Sequence, residues 1–206
     1  MSRLQVAPIV EGQGEVNSLR ILLHRIWTEL LGGEYIKVHP PIRQNRSTLA
    51  SGGRIQTSAV ERIVQIADSK IKVDSNIMGD PALILILLDA DHDCPARLGP
   101  RLLESAKSAL PHRDIACVLI NVEYETWFVA AAESLSEYLN LKDGKLPEHP
   151  EKTRQGKAWV KNRFRGDYKE ASHQPALTRA MNLENCRQRS PSFDKLCRDM
   201  GKRIAG

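Results

Sequence analysis

The chain has no apolar run near the ~20 residues that a membrane-spanning helix needs, so membrane insertion is not expected. It has no Cys-x-x-Cys pair. Its four cysteines, Cys94, Cys117, Cys186 and Cys197, are scattered, which argues against a zinc site or a disulfide framework. A reducing cytoplasm is the default compartment for such a pattern. The start, Met1-Ser2-Arg3-Leu4, enters a strand-like run directly and lacks a signal-peptide pattern. There is no Gly-x-x-x-x-Gly-Lys-Ser/Thr loop, so the chain carries no P-loop ATPase site of its own. No internal repeat is present.

What is present suits one domain with an appendage, or two very small ones: 206 residues, 41% of them hydrophobic, enough for a core. The net charge of +5 is uneven. Residues 151–206 hold 14 Lys/Arg against 6 Asp/Glu, hence +8; the first 150 hold 16 against 19, hence −3. A mildly acidic body with a basic C-terminal quarter suits a polyanionic partner. The alternative is a basic face that merely meets water.

Aliphatic runs set the elements. Residues 4–10 read as a first strand, with Pro8 awkward in a central position. Residues 15–31 carry Leu19, Leu22, Leu23, Ile26 and Leu30 at helical spacing, and Gly32-Gly33 ends that helix. A second strand is expected at 35–42, a polar loop at 43–56, and a helix marked by Val60, Ile63, Val64, Ala67 and Ile71. Leu83 to Leu88 are six consecutive aliphatic residues, the pattern of a strand buried on both faces of a parallel sheet. A helix at 97–110 and a strand at 115–122 follow. The next helix begins near Glu125, with Trp127 and Phe128 as core residues. The pattern predicts an α/β fold, Rossmann-like, with a mainly parallel four-stranded sheet flanked by helices. Residues 1–139 would form this domain. Residues 140–206 would be a linker (140–156) and a helical basic C-terminal extension packed on the same domain. Its helices are expected near 157–164 and 174–188, with a last one capped by Ser190-Pro191.

Acidic residues fall where three predicted strands end: Glu11 and Glu15, then Asp89, Asp91 and Asp93, then Glu123 and Glu125. In a parallel sheet these ends share one edge, the edge at which open α/β folds bind ligands. Crowded carboxylates repel unless protons or a cation intervene, so a divalent metal, Mg²⁺ or Mn²⁺, is the natural expectation. Glycines 12 and 14 would let backbone approach a ligand beside Glu11. Some of these acids have a plainer reading. Glu15 suits the first turn of a helix, Asp93 a turn before Pro95, and Glu123 and Glu125 an ordinary loop-to-helix junction. His92 reads as a surface or supporting residue.

Val10-Glu11-Gly12-Gln13-Gly14-Glu15 after one strand and Asp89-Ala90-Asp91 after a later one resemble the Toprim superfamily. That superfamily includes topoisomerases, primases and nucleases of the overcoming-lysogenization-defect type. Over the whole chain, Glu123-x-Glu125-x-Trp127 and Arg189-Ser190-Pro191-Ser192-Phe193 add a resemblance to an uncharacterised bacterial Toprim-like family of about this length. The resemblance implies magnesium held by Glu11, as metal ligand or general acid/base, and by Asp89 and Asp91, with Glu15 as a further acid. Glu123 or Glu125 could complete a second metal site. Topoisomerase and primase activities are disfavoured, because the chain shows neither a separate tyrosine-bearing domain nor a zinc or helicase-binding module.

The leading expectation is therefore a metal-dependent nuclease, with Glu11, Asp89 and Asp91 as its catalytic acids and Lys169 as a candidate for stabilising transition-state charge. Arg43, Arg46, Arg54, Lys157, Lys161, Arg163 and Arg165 would hold the nucleic-acid backbone. The resemblance further implies a partner ATPase encoded in trans and a role in phage defence or repair. An oligomer is compatible with the sequence. One alternative is a non-catalytic, nucleic-acid-binding interaction module. The other is a phosphatase of the haloacid-dehalogenase sort, whose opening motif is also Asp-x-Asp, though normally on the first strand.

Overall fold

The computed structural model describes residues 3–73, 81–142, 146–152 and 155–204. Arg154, one of the tail cations, and Asp143 and Gly144 of the expected linker lie outside the described residues. A parallel sheet forms the middle layer. Its strands are β1 (Arg3–Val10), β2 (Tyr35–Val38), β3 (Ile42–Arg43), β6 (Ala82–Asp89) and β7 (Asp114–Ile120). The order is β2-β1-β6-β7, and β3 also pairs with β1. The expected second strand is thus two strands, broken at Pro40-Pro41, and the sheet has five strands rather than four.

Pro8 fits the central strand for a local reason. Val6 and Val10 turn their carbonyls to the β2/β3 side, accepting from the N–H groups of His39 at 2.9 Å and Gln44 at 2.7 Å. Pro8 shares their parity, so its missing N–H faces the gap between β2 and β3 and leaves no ladder partner unmet.

β6 is buried on both faces, as its composition requires. Leu83, Leu85 and Leu87 enter one core, and Ile84, Ile86 and Leu88 the other. Strand alternation sorts β1 and β7 the same way. The second core is closed by α3 (Thr57–Val73), through Val60, Ile63, Val64, Ala67 and Ile71, and by α4 (Pro95–Ala109). α4 begins two residues earlier than the periodicity suggests, because Pro95 is pre-set for the first helical position.

The first core is closed by α1 (Gln13–Arg25), whose last turn widens to π geometry over Ile26–Leu30, and by the C-terminal helices. These are α5 (Glu125–Ala130), α6 (Gly156–Arg163), α7 (Glu170–Ala180), α8 (Leu183–Arg189) and α9 (Pro191–Gly201). Residues 174–188 do not form one helix. The chain breaks at Met181-Asn182, where the Asn182 side chain accepts from Asn185 N–H at 2.9 Å and starts α8. Ser190 caps α9 by accepting from Phe193 N–H at 3.2 Å.

The polar stretch 43–56 is not a plain loop. It holds a one-turn helix α2 (Arg46–Leu49) and a hairpin of β4 (Ala50–Ser51) and β5 (Arg54–Ile55). Gly52 and Gly53 make the turn with φ of 55° and 71°, a pairing that hairpins favour.

Candidate functional site

The carboxyl edge of the sheet carries the acids. Glu11 follows the last residue of β1, half-buried. Its Oε1 accepts from Arg46 N–H at 3.0 Å, while Oε2 is sealed with no hydrogen-bond partner. Glu15 is buried in the first turn of α1, and its Oε2 is likewise sealed and unpartnered. Asp89 ends β6 in register with Ile120. The residue keeps some exposure, but its Oδ1 is sealed and unpartnered too. Leaving three carboxylate oxygens this way is costly unless protons or a cation take them up.

Burial first, and then mutual repulsion, raises the pKa values of these acids. Burial pushes the Asp89 carboxyl far above the usual range, and the charges of Glu15, Glu125, Glu11 and Asp91 push it further. Burial raises Glu11 and Glu15 as well; Asp91 adds to the first and Glu125 to the second. These are the expected consequences of carboxylates converging in a poorly solvated place.

Asp91 lies outside this sealed group. It is exposed, with φ of 48°, and its N–H donates to the Val122 carbonyl at 3.0 Å. Its carboxylate accepts from Arg46 Nη2 at 3.1 Å, and Asp93 accepts from Arg46 Nη1. Arg46 therefore clamps both loop acids and, through its N–H, touches Glu11. Asp93, which the sequence suggests as a turn residue before Pro95, is part of that clamp.

Glu123 and Glu125 take different roles. Glu123 Oε1 accepts from the backbone N–H of Lys157 at 2.6 Å, which fastens α6 to the sheet edge. Glu125 is only 1% exposed. Its Oε1 accepts from Tyr168 Oη at 2.9 Å and from Gln174 Nε2 at 3.0 Å. Burial raises its pKa against the pull of Gln174 and the Lys157 charge. Tyr168 and Gln174 are the functional-site residues that sequence reasoning missed. One signal could have found them: Gln174, Leu177 and Thr178 share the buried stripe of α7, and a glutamine there needs a partner.

The glycines serve packing between elements. A Cβ on Gly14 would stand 2.0 Å from Gln174 Oε1, and one on Gly12 would stand 2.3 Å from Glu15 Oε2. Only glycine lets α7 press onto the first turn of α1 and lets Glu15 fold back beneath the β1–α1 turn.

The expected cations are dispersed. Arg43 is exposed, and its Nε donates to the Glu11 carbonyl at 3.0 Å. Arg54 is exposed on the hairpin. Lys157 is half-buried, pairs with Glu170 at 3.1 Å and acts on Glu125. Lys161 is exposed on α6, and the Arg163 guanidinium lies 4.4 Å from the Trp159 ring centroid. Arg165 donates to the Ser136 carbonyl at 3.4 Å. Lys169 points to solvent at 69% side-chain exposure, with Asp167 at 3.9 Å, so the cation set against Glu125 is Lys157. Further along the tail, Arg187 and Arg198 pair with Asp194, Lys195 and Lys202 with Asp199, and Arg203 with Asp114. Much of the tail's charge is thus spent inside the fold.

The donor set suits a hard divalent cation, because sealed carboxylate oxygens without protein partners are its ligand type. Among the described residues, however, no three acidic, histidine or cysteine side chains close on one point as the ligands of a single ion would.

Fold and edge together define a Rossmann-like α/β protein whose sheet carries converging, poorly solvated carboxylates at its carboxyl edge. The chain belongs to the family described as "Domain of unknown function (DUF4276)", whose model matches residues 10–201. No curated protein and no solved structure matches it.

Proposed function

We propose that the protein is a metal-dependent phosphodiester hydrolase acting on nucleic acid, of the Toprim kind that its Glu11 and Asp89-Ala90-Asp91 segments resemble. The observation that carries the proposal is the trio of sealed, unpartnered oxygens on Glu11, Glu15 and Asp89. Glu11, Asp89 and Asp91, with Glu15 beside them, would hold the ion. Bound there, Mg²⁺ or Mn²⁺ would supply Lewis-acid charge and a more acidic water. Glu125, fixed by Tyr168 and Gln174, orients the inner wall and adds negative charge behind Asp89. Arg46 neutralises Asp91 and Asp93 at rest. With an ion bound, Asp91 would be its ligand, and the Arg46 Nη2 that now pairs with Asp91 would be available to a substrate phosphate while Nη1 stays on Asp93. Arg43, whose Nε donates to the Glu11 carbonyl, would take the next phosphate.

The test is cleavage of plasmid, single strands and RNA with Mg²⁺ or Mn²⁺. Glu11→Ala and Asp89→Ala should each lose at least a hundredfold in rate. Wild-type rates in either variant would overturn the proposal.

The Arg46 clamp favours a second reading: a nucleic-acid-binding module, silent alone, that works beside an ATPase encoded in trans. Activity that emerges only when that ATPase is added, or binding without cleavage in its presence, would separate the two.

A further inference from the structure

A second feature leads away from the acidic edge. Between α1 and β2 lies a cleft of about 610 Å³. Arg20, His24 and Lys37 line it, Tyr35 stands at one end, and Pro40 and Pro41 at the other. Among the described residues no Asp or Glu lines it. Tyr35 is one of the few large apolar side chains left open to solvent among the described residues, at 44% exposure, and the Arg3 guanidinium lies over its ring, 5.2 Å from the centroid.

Topology gives the cleft a direction. α1 starts at the carboxyl edge and runs back along the sheet, while β2 runs parallel to β1 toward that edge. The Pro40-Pro41 end therefore adjoins β3, whose Arg43 touches Glu11. Residues 16 to 24 of α1 span about 12 Å. The cleft thus runs from Tyr35 toward the carboxyl edge of the sheet, with Arg20, His24 and Lys37 along it.

We propose that this cleft binds single-stranded nucleic acid and feeds it to the acidic edge. This rests on the nuclease proposal only for what happens at that edge. Cations that track a backbone, with an aromatic ring on which a base can stack, are the two elements of sequence-tolerant single-strand binding. A duplex does not fit: its phosphates sit on the outside of a rigid cylinder, whereas a single strand can bend into a cleft of ligand size.

Binding of short labelled oligo-dT, oligo-U and duplex is read by fluorescence anisotropy in EDTA, so that no metal chemistry enters. The wild type is compared with Arg20→Glu/Lys37→Glu, Tyr35→Ala and, as a charge control on the opposite layer, Arg62→Glu. Melting curves check that each variant is folded. Single strands should bind better than duplex, with the dT and U arms showing which sugar is preferred. The double variant should weaken single-strand binding at least tenfold and lower the slope of log Kd against log salt by about 1.4, the value for two phosphate contacts. Tyr35→Ala should lose at least fivefold, as lost stacking requires. Duplex preferred over both single strands would overturn the proposal. So would unchanged binding in the double variant, or an equal loss in Arg62→Glu. Cleavage of a small phosphodiester separates the two proposals. If the cleft variants bind single strands normally yet the wild type cleaves the diester, the cleft falls and the nuclease stands. If binding fails in the cleft variants but the wild type never cleaves, the nuclease falls and the cleft stands.

Discussion

Asp89 is the residue on which the edge depends. It is an aspartate in name and a buried, crowded carboxyl in place, raised in pKa by its burial and by four neighbouring acids. Ionising it without a counter-ion works against folding. Asp89→Asn should therefore raise the metal-free melting midpoint near neutral pH by about 3 °C, a shift of about 1 kcal/mol for a chain of this size. Mg²⁺ or Mn²⁺ at a hundred times its Kd should stabilise the wild type by about 2.7 kcal/mol and the variant not at all. Differential scanning fluorimetry with and without the ion reads both. A lower midpoint in the metal-free variant, or an unchanged metal response, would refute this account of the edge. Asp89 and Glu11 were legible in the sequence because acids directly after buried strands stand out. Tyr168 and Gln174 were not, because each reads as an ordinary residue until Glu125 is beside it.

At the scale of elements, ion pairs fix how helices meet the sheet. Asp68 on α3 is buried and accepts from Lys72 at 2.6 Å and from Arg113, in the turn before β7. Burial alone would raise its pKa, but Lys72 and Arg113 outweigh that and hold the carboxyl below the usual range. A carboxyl depressed in the folded state contributes stability above its unfolded pKa and loses it as pH falls through the folded value. Asp68→Asn should thus lower the melting midpoint at pH 7, and the difference should vanish once the pH has fallen through the depressed folded-state value. A difference that persists unchanged into acid would show that the side chain's packing, not its charge, is what matters. The hairpin at Gly52-Gly53 and the break at Asn182 belong to the same scale. Both carried short-range signals, a glycine pair and an asparagine cap, inside stretches whose wider periodicity suggested a loop and a continuous helix.

For the whole molecule, the C-terminal quarter is part of the core. Leu177, Met181, Leu183, Cys186, Phe193, Leu196, Cys197 and Met200 are buried in the same cluster as Leu4, Leu83 and Val118. Each large apolar side chain among them contributes about 1.5–3 kcal/mol by burial. Together they match the ~5–15 kcal/mol by which a domain is stable at all. A chain ending at residue 139 should therefore lack a cooperative thermal transition and bind an apolar dye. A sharp transition in that fragment would show that the first 139 residues close their core alone.

The sequence by itself determined the alternation of strands and helices, the doubly buried β6, and the acids that end β1 and β6. Each of these follows from the period or composition of a single segment. Tertiary structure alone decided that α7 walls the acidic edge, that Arg46 clamps Asp91 and Asp93, and that much of the tail's basic charge is paired within the fold. The physical reason is that periodicity tells a segment which of its faces to bury. It does not say which distant segment will cover that face, and so which side chain a buried carboxylate will meet.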